Sequence, residues 1–444
     1  MQENLSFSDR DEFQRKVIAE NIIKLLKPEA DISPLVIDGD WGTGKTEFSI
    51  KLKNLITAQE PESKVVYIDA FKGDHAESPL LLITSAIASI LPEEEKKTFI
   101  KKALPAIRFG LKTGLKASAG WILRQNADNI ATEFQEAIKK ASNAAIDGTI
   151  ENILEDHMEA EKNINSLKNC IQGLSSQQKT VIIIDELDRC KPSFSTAILE
   201  TIKHIFDTKN VYFILVTNTT QLRASINHIY GYSLDSQKYL DKFIKYTITL
   251  PDTFLKNGFN EYKTSVEYWS QLTKENPSLL LIRQAAENEI CKLISDTNLS
   301  LRETQTFARN LNIFQIINDN TFTQNTDYLF KLIIIGSVYI HCFGDKLLLK
   351  GDLSSDNIDK LADLFMIKKI PYEFERSVEV PRITILFYGI IKEYIYVNKK
   401  FAPPNEELLE KFDSFYQKFE GDYFWNTTIK EQVIKYINQM SFIK

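Results

Sequence analysis

The chain has 444 residues, 43% of them hydrophobic and 26% charged, which suits a globular protein of two or three domains with ample core. Its formal net charge of −6 excludes a general electrostatic attraction to nucleic acid or anionic lipid, so any such binding must be local. Four scattered cysteines and five scattered histidines exclude a metal-ligand cluster or a disulfide framework of the usual spacing.

The first predicted element is an amphipathic helix over residues 5–30, ahead of the first strand. Apolar residues recur in it at helical spacing, and we expect them to form its buried side. They are Phe13, Val17, Ile18, Ile22, Ile23, Leu25 and Leu26.

Residues 39–46, Gly-Asp-Trp-Gly-Thr-Gly-Lys-Thr, fit the phosphate-loop pattern G-x-x-x-x-G-K-[ST] between a predicted strand at 34–38 and a helical pattern. A turn from strand into helix directs main-chain amides and the helix dipole at one point, which attracts phosphates. We expect Lys45 to reach the β- and γ-phosphates of ATP and the Thr46 hydroxyl to bind Mg²⁺. The expected nucleotide-binding residues are Gly39, Trp41, Gly42, Thr43, Gly44, Lys45, Thr46 and Glu47.

A second strand is predicted at 64–69, and a mostly helical insertion at about 92–178. Within the insertion, residues 96–127 carry eight basic side chains and no acidic one. Such a segment suits a membrane surface, nucleic acid or an acidic partner. The alternative is a packed insertion whose basic face pairs with acidic residues between 151 and 161. The basic residues are Lys96, Lys97, Lys101, Lys102, Arg108, Lys112, Lys116 and Arg124.

The third predicted strand, 180–184, is a continuous β-branched run typical of a strand buried on both faces, and an acidic motif follows it. Asp185 is positioned to hold Mg²⁺. Glu186 is the candidate base that polarises the attacking water. The alternative for Glu186 is a solvated carboxylate in a protein that binds ATP and hydrolyses it poorly.

A fourth apolar strand, 211–217, ends in Asn218. In ATPases with a catalytic Glu, a polar sensor residue follows a strand that lies between the phosphate-loop strand and the acidic strand. Asn218 is therefore a candidate sensor of the γ-phosphate. The alternative is an N-cap for the helix that begins at Thr220, and one side chain is not expected to do both easily.

Three motifs together resemble the KAP family of P-loop NTPases over roughly residues 5–312. They are the glycine loop, the Asp-Glu-Leu-Asp-Arg-Cys run at 185–190, and Tyr-Leu-Asp-Lys at 239–242 after Tyr-Gly at 230–231. The second strand also resembles that family's, although Phe71 stands where a Trp is usual. The resemblance implies an ATPase related to AAA+ proteins, and bacterial members are associated with phage exclusion.

The resemblance further implies two cations that complete the site. Arg302, near the start of a predicted lid helix, would meet the γ-phosphate, although Leu301 replaces the usual proline. Lys242 lies about where AAA+ proteins carry a finger, which is a cationic side chain that completes the nucleotide site of a neighbouring subunit. A finger at Lys242 implies a homo-oligomer. Arg189 is a second finger candidate. The alternatives are surface positions, with Arg189 or Lys242 paired to a nearby aspartate such as Asp188 or Asp241.

The predicted fold is an α/β P-loop NTPase of the ASCE or AAA+-like kind, with strands alternating with helices around a parallel sheet. A fifth strand is expected at 245–250. After residue 255 the pattern is almost wholly helical. The expected domains are 1–255 for the NTPase with its helical insertion, 256–330 for an all-helical lid, and 331–444 for a C-terminal helical domain.

The expected function is a Mg²⁺-dependent ATPase that works as a switch or motor, and the family resemblance places it in bacterial defence against phages. A protein partner encoded by a neighbouring gene is expected to carry any damaging activity. Two alternatives stay open, a nucleotide-stabilised scaffold with little turnover and an ATPase stimulated by nucleic acid. A polar, acidic start and the absence of a long apolar run predict a cytoplasmic protein without a secretory signal or transmembrane span.

Overall fold

The computed structural model describes residues 5–74, 78–113, 165–175, 178–205, 208–256, 260–344, 353–373, 380–420 and 428–442. The chain divides into two compact units, Met1–Pro251 and Asp252–Lys444. The boundary follows Pro251, which comes directly after the last strand of the large sheet. The sequence analysis expected this boundary after residue 255, four residues later.

Five parallel strands form the centre of the first unit. They are β1 Leu35–Asp38, β2 Lys64–Asp69, β3 Thr180–Asp185, β4 Val211–Thr217 and β5 Tyr246–Thr249. Their order across the sheet is β2-β3-β4-β1-β5. The strand that ends before Asn218 therefore lies between the phosphate-loop strand and the acidic strand, as the sequence predicted.

The described residues of this unit form eight helices, and residues 165–175 are also helical. They are α1 Lys16–Leu25, α2 Lys45–Gln59, α3 Ala70–Gly73, α4 Pro79–Ser89, α5 Glu93–Thr113, α6 Pro192–Ile205, α7 Thr219–Tyr230 and α8 Ser236–Leu240.

Both faces of the sheet are covered, which explains its uninterrupted apolar strands. Because side chains alternate along a strand, Ile182 and Ile184 face one core while Val181 and Ile183 face the other. The first core includes residues of α4 and α6, and the second includes residues of α1 and α2. The sheet is thereby held between two layers, with the carboxyl ends of its strands along one edge.

The first helix is shorter than the predicted amphipathic segment. The Asp11 carboxylate accepts hydrogen bonds from the main-chain amides of Arg15 and Lys16, which starts the helix late, and Pro28 follows its end. Its buried side also differs from the prediction, because Val17 is 60% exposed and Leu25 is 42% exposed.

The second unit begins with an antiparallel hairpin of β6 Thr253–Lys256 and β7 Asn260–Lys263, which was not predicted from the sequence. The sequence between them contains Asn257-Gly258, a typical hairpin pair, which was the available signal.

The rest of the second unit is helical, as predicted. Its helices are α9 Thr264–Lys274, α10 Pro277–Asp296, α11 Leu301–Ile317, α12 Tyr328–Phe343, α13 Ser355–Leu364, α14 Arg382–Ile391, α15 Glu406–Glu420 and α16 Ile429–Met440. One hydrophobic core runs through them from Trp269 to Met440. Residues on both sides of position 330 share that core, and the separation into a lid and a terminal domain stays a prediction.

Candidate functional site

The glycine loop joins the end of β1 to the start of α2. Gly42 and Gly44 have φ of 80° and 83°, a left-handed conformation that favours glycine. At Gly39 a Cβ atom would come within 2.8 Å of the Thr43 hydroxyl. The N-cap residue Gly44 has no side chain to occupy the first amides of α2. The loop therefore leaves helix amides available to an anion, which fits a phosphate.

Lys45 lies over this loop with 9% of its surface exposed. Its Nζ donates to the carbonyl oxygens of Gly39 at 2.5 Å and Asp40 at 2.9 Å. Burial lowers the pKa of Lys45, and the carboxylates of Asp188 and Asp185 oppose that effect. A buried ammonium held by loop carbonyls is well placed to exchange them for the oxygens of a polyphosphate.

Asp185, at the carboxyl end of β3, is 2% exposed. Its carboxylate accepts hydrogen bonds from the hydroxyl of Tyr67 at 2.6 Å and from the amide of Glu186 at 2.7 Å. The Thr46 side chain also lies close to it. Burial raises the pKa of Asp185, and these hydrogen bonds counteract the increase. The structure thus brings together the two residues predicted to hold Mg²⁺, and this hydroxyl-carboxylate pair suits that cation.

Glu186 follows in a left-handed conformation with φ of 61°. Its Oε2 lies 2.6 Å from the Arg189 guanidinium, so Arg189 pairs with Glu186 and not with Asp188 as the alternative proposed. Burial raises the pKa of Glu186, whereas Arg189 lowers it. A carboxylate with a raised pKa suits proton transfer, but here it is held by an ion pair.

Asn218 caps α7 with one end of its side-chain amide and contacts the glycine loop with the other, and its role as a sensor of the γ-phosphate stays a prediction. Its Oδ1 accepts from the amides of Thr220 and Gln221 and caps α7. Its Nδ2 donates to the Oδ1 of Asp40 in the glycine loop at 3.2 Å. The two ends of one amide serve different partners, so helix capping leaves the donor facing the loop.

Trp41, in the glycine loop, has 50% of its surface accessible. Its indole Nε1 donates to Oδ2 of Asp188 at 2.6 Å. The other oxygen of Asp188 accepts from the hydroxyl of Thr217 at 3.3 Å. Asp188 therefore links the glycine loop to the acidic motif and to the end of β4.

Two other predicted nucleotide-binding residues have protein partners. The Thr43 hydroxyl donates to the carbonyl of Asp40 at 2.8 Å. The Glu47 carboxylate lies 2.8 Å from Arg10 and 2.7 Å from Lys51. Glu47 is therefore engaged in ion pairs, so a nucleotide contact at this position would come from its main chain.

Arg15 is a residue of the site that sequence reasoning missed. It is buried, and its guanidinium donates to the carbonyls of Thr43 at 2.9 Å and Pro251 at 3.0 Å. Burial lowers the pKa of Arg15 to about 10. It joins the start of α1 to the glycine loop, and no sequence pattern marks such a long-range contact.

Lys242 lies away from the glycine loop of its own chain. It precedes β5, so it is at the amino edge of the sheet, whereas the loop follows the carboxyl end of β1. Its Nζ lies 5.6 Å from the centre of the Tyr239 ring, not in an ion pair with Asp241 in the described structure. A cleft of about 650 Å³ at this amino edge is lined by Lys242 and Pro34 among others. The cleft is therefore separate from the phosphate-binding edge.

Arg302 belongs to the second unit and is the second residue of α11. It is exposed, and the helix start beside it is a capping box formed by Ser300 and Glu303. Its predicted role at the γ-phosphate stays a prediction.

The basic segment at 96–127 is described only as far as residue 113, and the acidic residues between 151 and 161 lie outside the described residues. Of its described side chains, Lys96 pairs with Glu93 at 3.2 Å. Within the parts of the chain that the structure covers, every helix is too short or too polar to cross a membrane. The same parts contain no cluster of three metal-ligating side chains.

Comparison with known proteins finds a matching family and similar proteins. The KAP family P-loop domain matches residues 15–318. The phage T7 exclusion protein of Escherichia coli (strain K12) is 22% identical over 275 residues, which cover 60% of this chain and 37% of that protein. This chain thus matches little more than a third of that relative's length. The Aeropyrum pernix ORC2 protein, solved as ADPNP–ADP complexes, aligns with 91% of this chain and 93% of its own at 12% identity and a TM-score of 0.35.

The family match includes the glycine loop, the acidic motif and the strand that lies between them in the sheet. It covers more than half of the chain. The protein therefore belongs to the KAP family of P-loop NTPases.

Proposed function

We propose that this protein binds and hydrolyses ATP with Mg²⁺ and uses the cycle as a conformational switch. The observation that carries the proposal is the contact of Thr46 with Asp185 beside a loop that leaves helix amides available. A hydroxyl and a carboxylate in contact at the mouth of an anion-binding loop match the needs of a magnesium-bound triphosphate.

Five residues of the site would each have a role in binding and hydrolysis. Lys45 would transfer its hydrogen bonds from loop carbonyls to phosphate oxygens, and Thr46 with Asp185 would hold the cation. Bound Mg²⁺ supplies charge neutralisation at the phosphates. Glu186 would accept a proton from the attacking water after separating from Arg189. Asn218 would orient that water through the Nδ2 group that now contacts Asp40.

The biological role that we propose is defence against phages. Its support is the similarity to the phage T7 exclusion protein, which extends over 37% of that protein. The wider assembly is also a proposal, namely a homo-oligomer in which Lys242 acts on a neighbouring subunit and a partner protein that carries the output.

The first test is binding of ATP measured by calorimetry with and without Mg²⁺. We expect magnesium to increase the affinity of the wild-type protein, and Lys45→Ala to lose binding because the ammonium is the main cationic phosphate ligand in the loop. Glu186→Gln should bind ATP normally and lose at least about 100-fold in turnover, since only proton transfer is removed. A wild-type protein without magnesium-dependent affinity for any purine triphosphate would overturn the proposal.

A second candidate is a nucleotide-stabilised scaffold, and the Glu186–Arg189 ion pair favours it. A general base held at 2.6 Å by a guanidinium is unavailable until that contact opens. In this case ATP binding alone would order an assembly surface. Plaque assays separate the candidates, because a scaffold keeps phage resistance in Glu186→Gln and loses it in Lys45→Ala, whereas a hydrolysis-driven switch loses it in both.

A further inference from the structure

Tyr67 lies on β2, the strand next to the acidic strand. In the parallel register it is opposite Ile183, and Asp69 is opposite Asp185. Asp185 is thus two residues beyond the partner of Tyr67 and on the same face. Such diagonal neighbours have Cβ atoms about 7–8 Å apart, a span that an aromatic side chain can bridge. The Tyr67 hydroxyl does so and donates to the Oδ2 of Asp185 at 2.6 Å.

The first turn of the helix behind the glycine loop lies close to this hydrogen bond. The fully buried Ser49 of α2 is near the Tyr67 hydroxyl and donates to the carbonyl of Thr46 at 2.9 Å. The Thr46 side chain in turn lies near Asp185. Tyr67 and Asp185 therefore lie beside the first turn of α2, which carries the predicted magnesium ligand Thr46.

Two hydrogen bonds limit how the Asp185 carboxylate can rotate. Its Oδ2 is held by Tyr67, and its Oδ1 accepts from the amide of Glu186 at 2.7 Å. Tyr67 is a neutral donor, so it orients the carboxylate without cancelling its negative charge as a lysine or arginine would. Full charge and a defined orientation are what a carboxylate needs to receive a divalent cation.

We propose that Tyr67 is a positioning residue for magnesium, one that holds Asp185 in the orientation that accepts the cation. The inference rests on the proposed function, since it concerns the same site. It assigns to the second strand a role in metal affinity rather than in nucleotide affinity, because Tyr67 contacts the carboxylate and the proposed nucleotide ligands lie in the glycine loop.

The test is Tyr67→Phe, which removes one oxygen atom and keeps the ring. The readout is the Mg²⁺ concentration that gives half of the magnesium-dependent increase in ATP affinity, measured by titration of nucleotide binding. We expect this midpoint to rise roughly tenfold, as outer-shell partners of metal ligands typically contribute. Affinity for ATP in the presence of EDTA should stay within about twofold of the wild type.

The matched control is Tyr212→Phe. Tyr212 belongs to the same core but lies near the amino end of β4, where it pairs with Val181. Its variant should keep the wild-type magnesium midpoint, and thermal melts should show all three proteins folded at the assay temperature.

The outcomes separate the two proposals. A wild-type protein that shows no magnesium dependence refutes the proposed function itself. If the wild type depends on magnesium and Tyr67→Phe has the same midpoint, the inference about Tyr67 is wrong. If Tyr67→Phe instead loses ATP affinity in EDTA, Tyr67 supports the fold of the loop, which also overturns a role in positioning the metal ligand.

Discussion

At the scale of single residues, the site is organised by carboxylates with defined partners. Asp185 is held by the Tyr67 hydroxyl and an amide, Glu186 by Arg189, and Asp188 by Trp41 and Thr217. A buried carboxylate without such partners would be costly. The three acidic residues of one short motif therefore have three different environments, and only one of these suits a metal ligand.

Trp41 provides a direct reporter of loop occupancy. It is half-exposed on the glycine loop, whereas Trp269 is fully buried in the second unit. We expect ATP with Mg²⁺ to change the intrinsic tryptophan emission, because ligand binding alters the solvent exposure of this indole. Trp41→Phe should lose most of that change and still bind ATP in calorimetry. An emission change of the same size in the variant would contradict the assignment of Trp41 to the nucleotide site.

The three-dimensional contacts of these residues were only partly predictable. The local pattern predicted Lys45, Thr46 and Asp185 as ligands, because a glycine turn and a strand-end carboxylate are encoded by consecutive residues. It did not predict the contacts of Tyr67 or Arg15. Their roles depend on which strand lies beside β3 and on where the start of α1 meets the loop, and neither is written in a short stretch of sequence.

At the scale of elements, strand order is the most informative result. Placing β4 between β1 and β3 brings Asn218 to the loop and lets Asp188 reach Thr217. The ends of the predicted strands agree with the observed ones within one residue, and the two strands with the longest apolar runs, β3 and β4, are buried along their whole length. The first helix was predicted too long, since helical spacing alone does not show that Asp11 caps its start.

Helices of the second unit pack so closely at Gly389 that a larger side chain does not fit. A Cβ atom on Gly389 of α14 would overlap the Tyr416 hydroxyl of α15 and Cδ1 of Ile429 of α16. Gly389→Ala should therefore lower the free energy of unfolding of this unit by about 1–3 kcal/mol, the usual cost of overpacking a core. Urea denaturation measures the change.

Gly173→Ala is the control for that experiment. Gly173 lies in the helical segment 165–175, and an added Cβ would meet no atom within 4 Å. The substitution should leave stability unchanged or raise it by up to about 1 kcal/mol, since alanine favours a helix. Equal effects at both positions would show that the contacts of Gly389 are not tightly packed.

At the scale of the whole molecule, Lys242 is the residue that relates the sheet to assembly, because it lies at the edge where the strands begin. In its own chain Lys242 lies at the opposite edge of the sheet from the glycine loop, so the proposed finger must act on another subunit. We expect Lys242→Ala to bind ATP normally and to lose turnover. Mixing it with Glu186→Gln protein should restore part of the activity, because mixed assemblies contain sites with an intact base facing an intact lysine.

The control for Lys242 is Lys238→Ala in the same segment. Lys238 is exposed and pairs with Asp235 at 3.5 Å, so its loss should leave turnover within about twofold of the wild type. Light scattering with and without ATP and Mg²⁺ measures the assembly itself. Loss of ATP binding in Lys242→Ala would count against the finger.

The sequence by itself determined the family, the glycine loop, the acidic motif and the succession of strands and helices. Each of these depends on neighbouring residues, through main-chain conformation or through the periodicity of apolar side chains. Only the tertiary structure decided that Tyr67 holds Asp185, that Arg189 engages Glu186 and that Arg15 supports the loop. Those contacts depend on side-chain direction and on distant segments meeting in space, which a linear pattern does not specify.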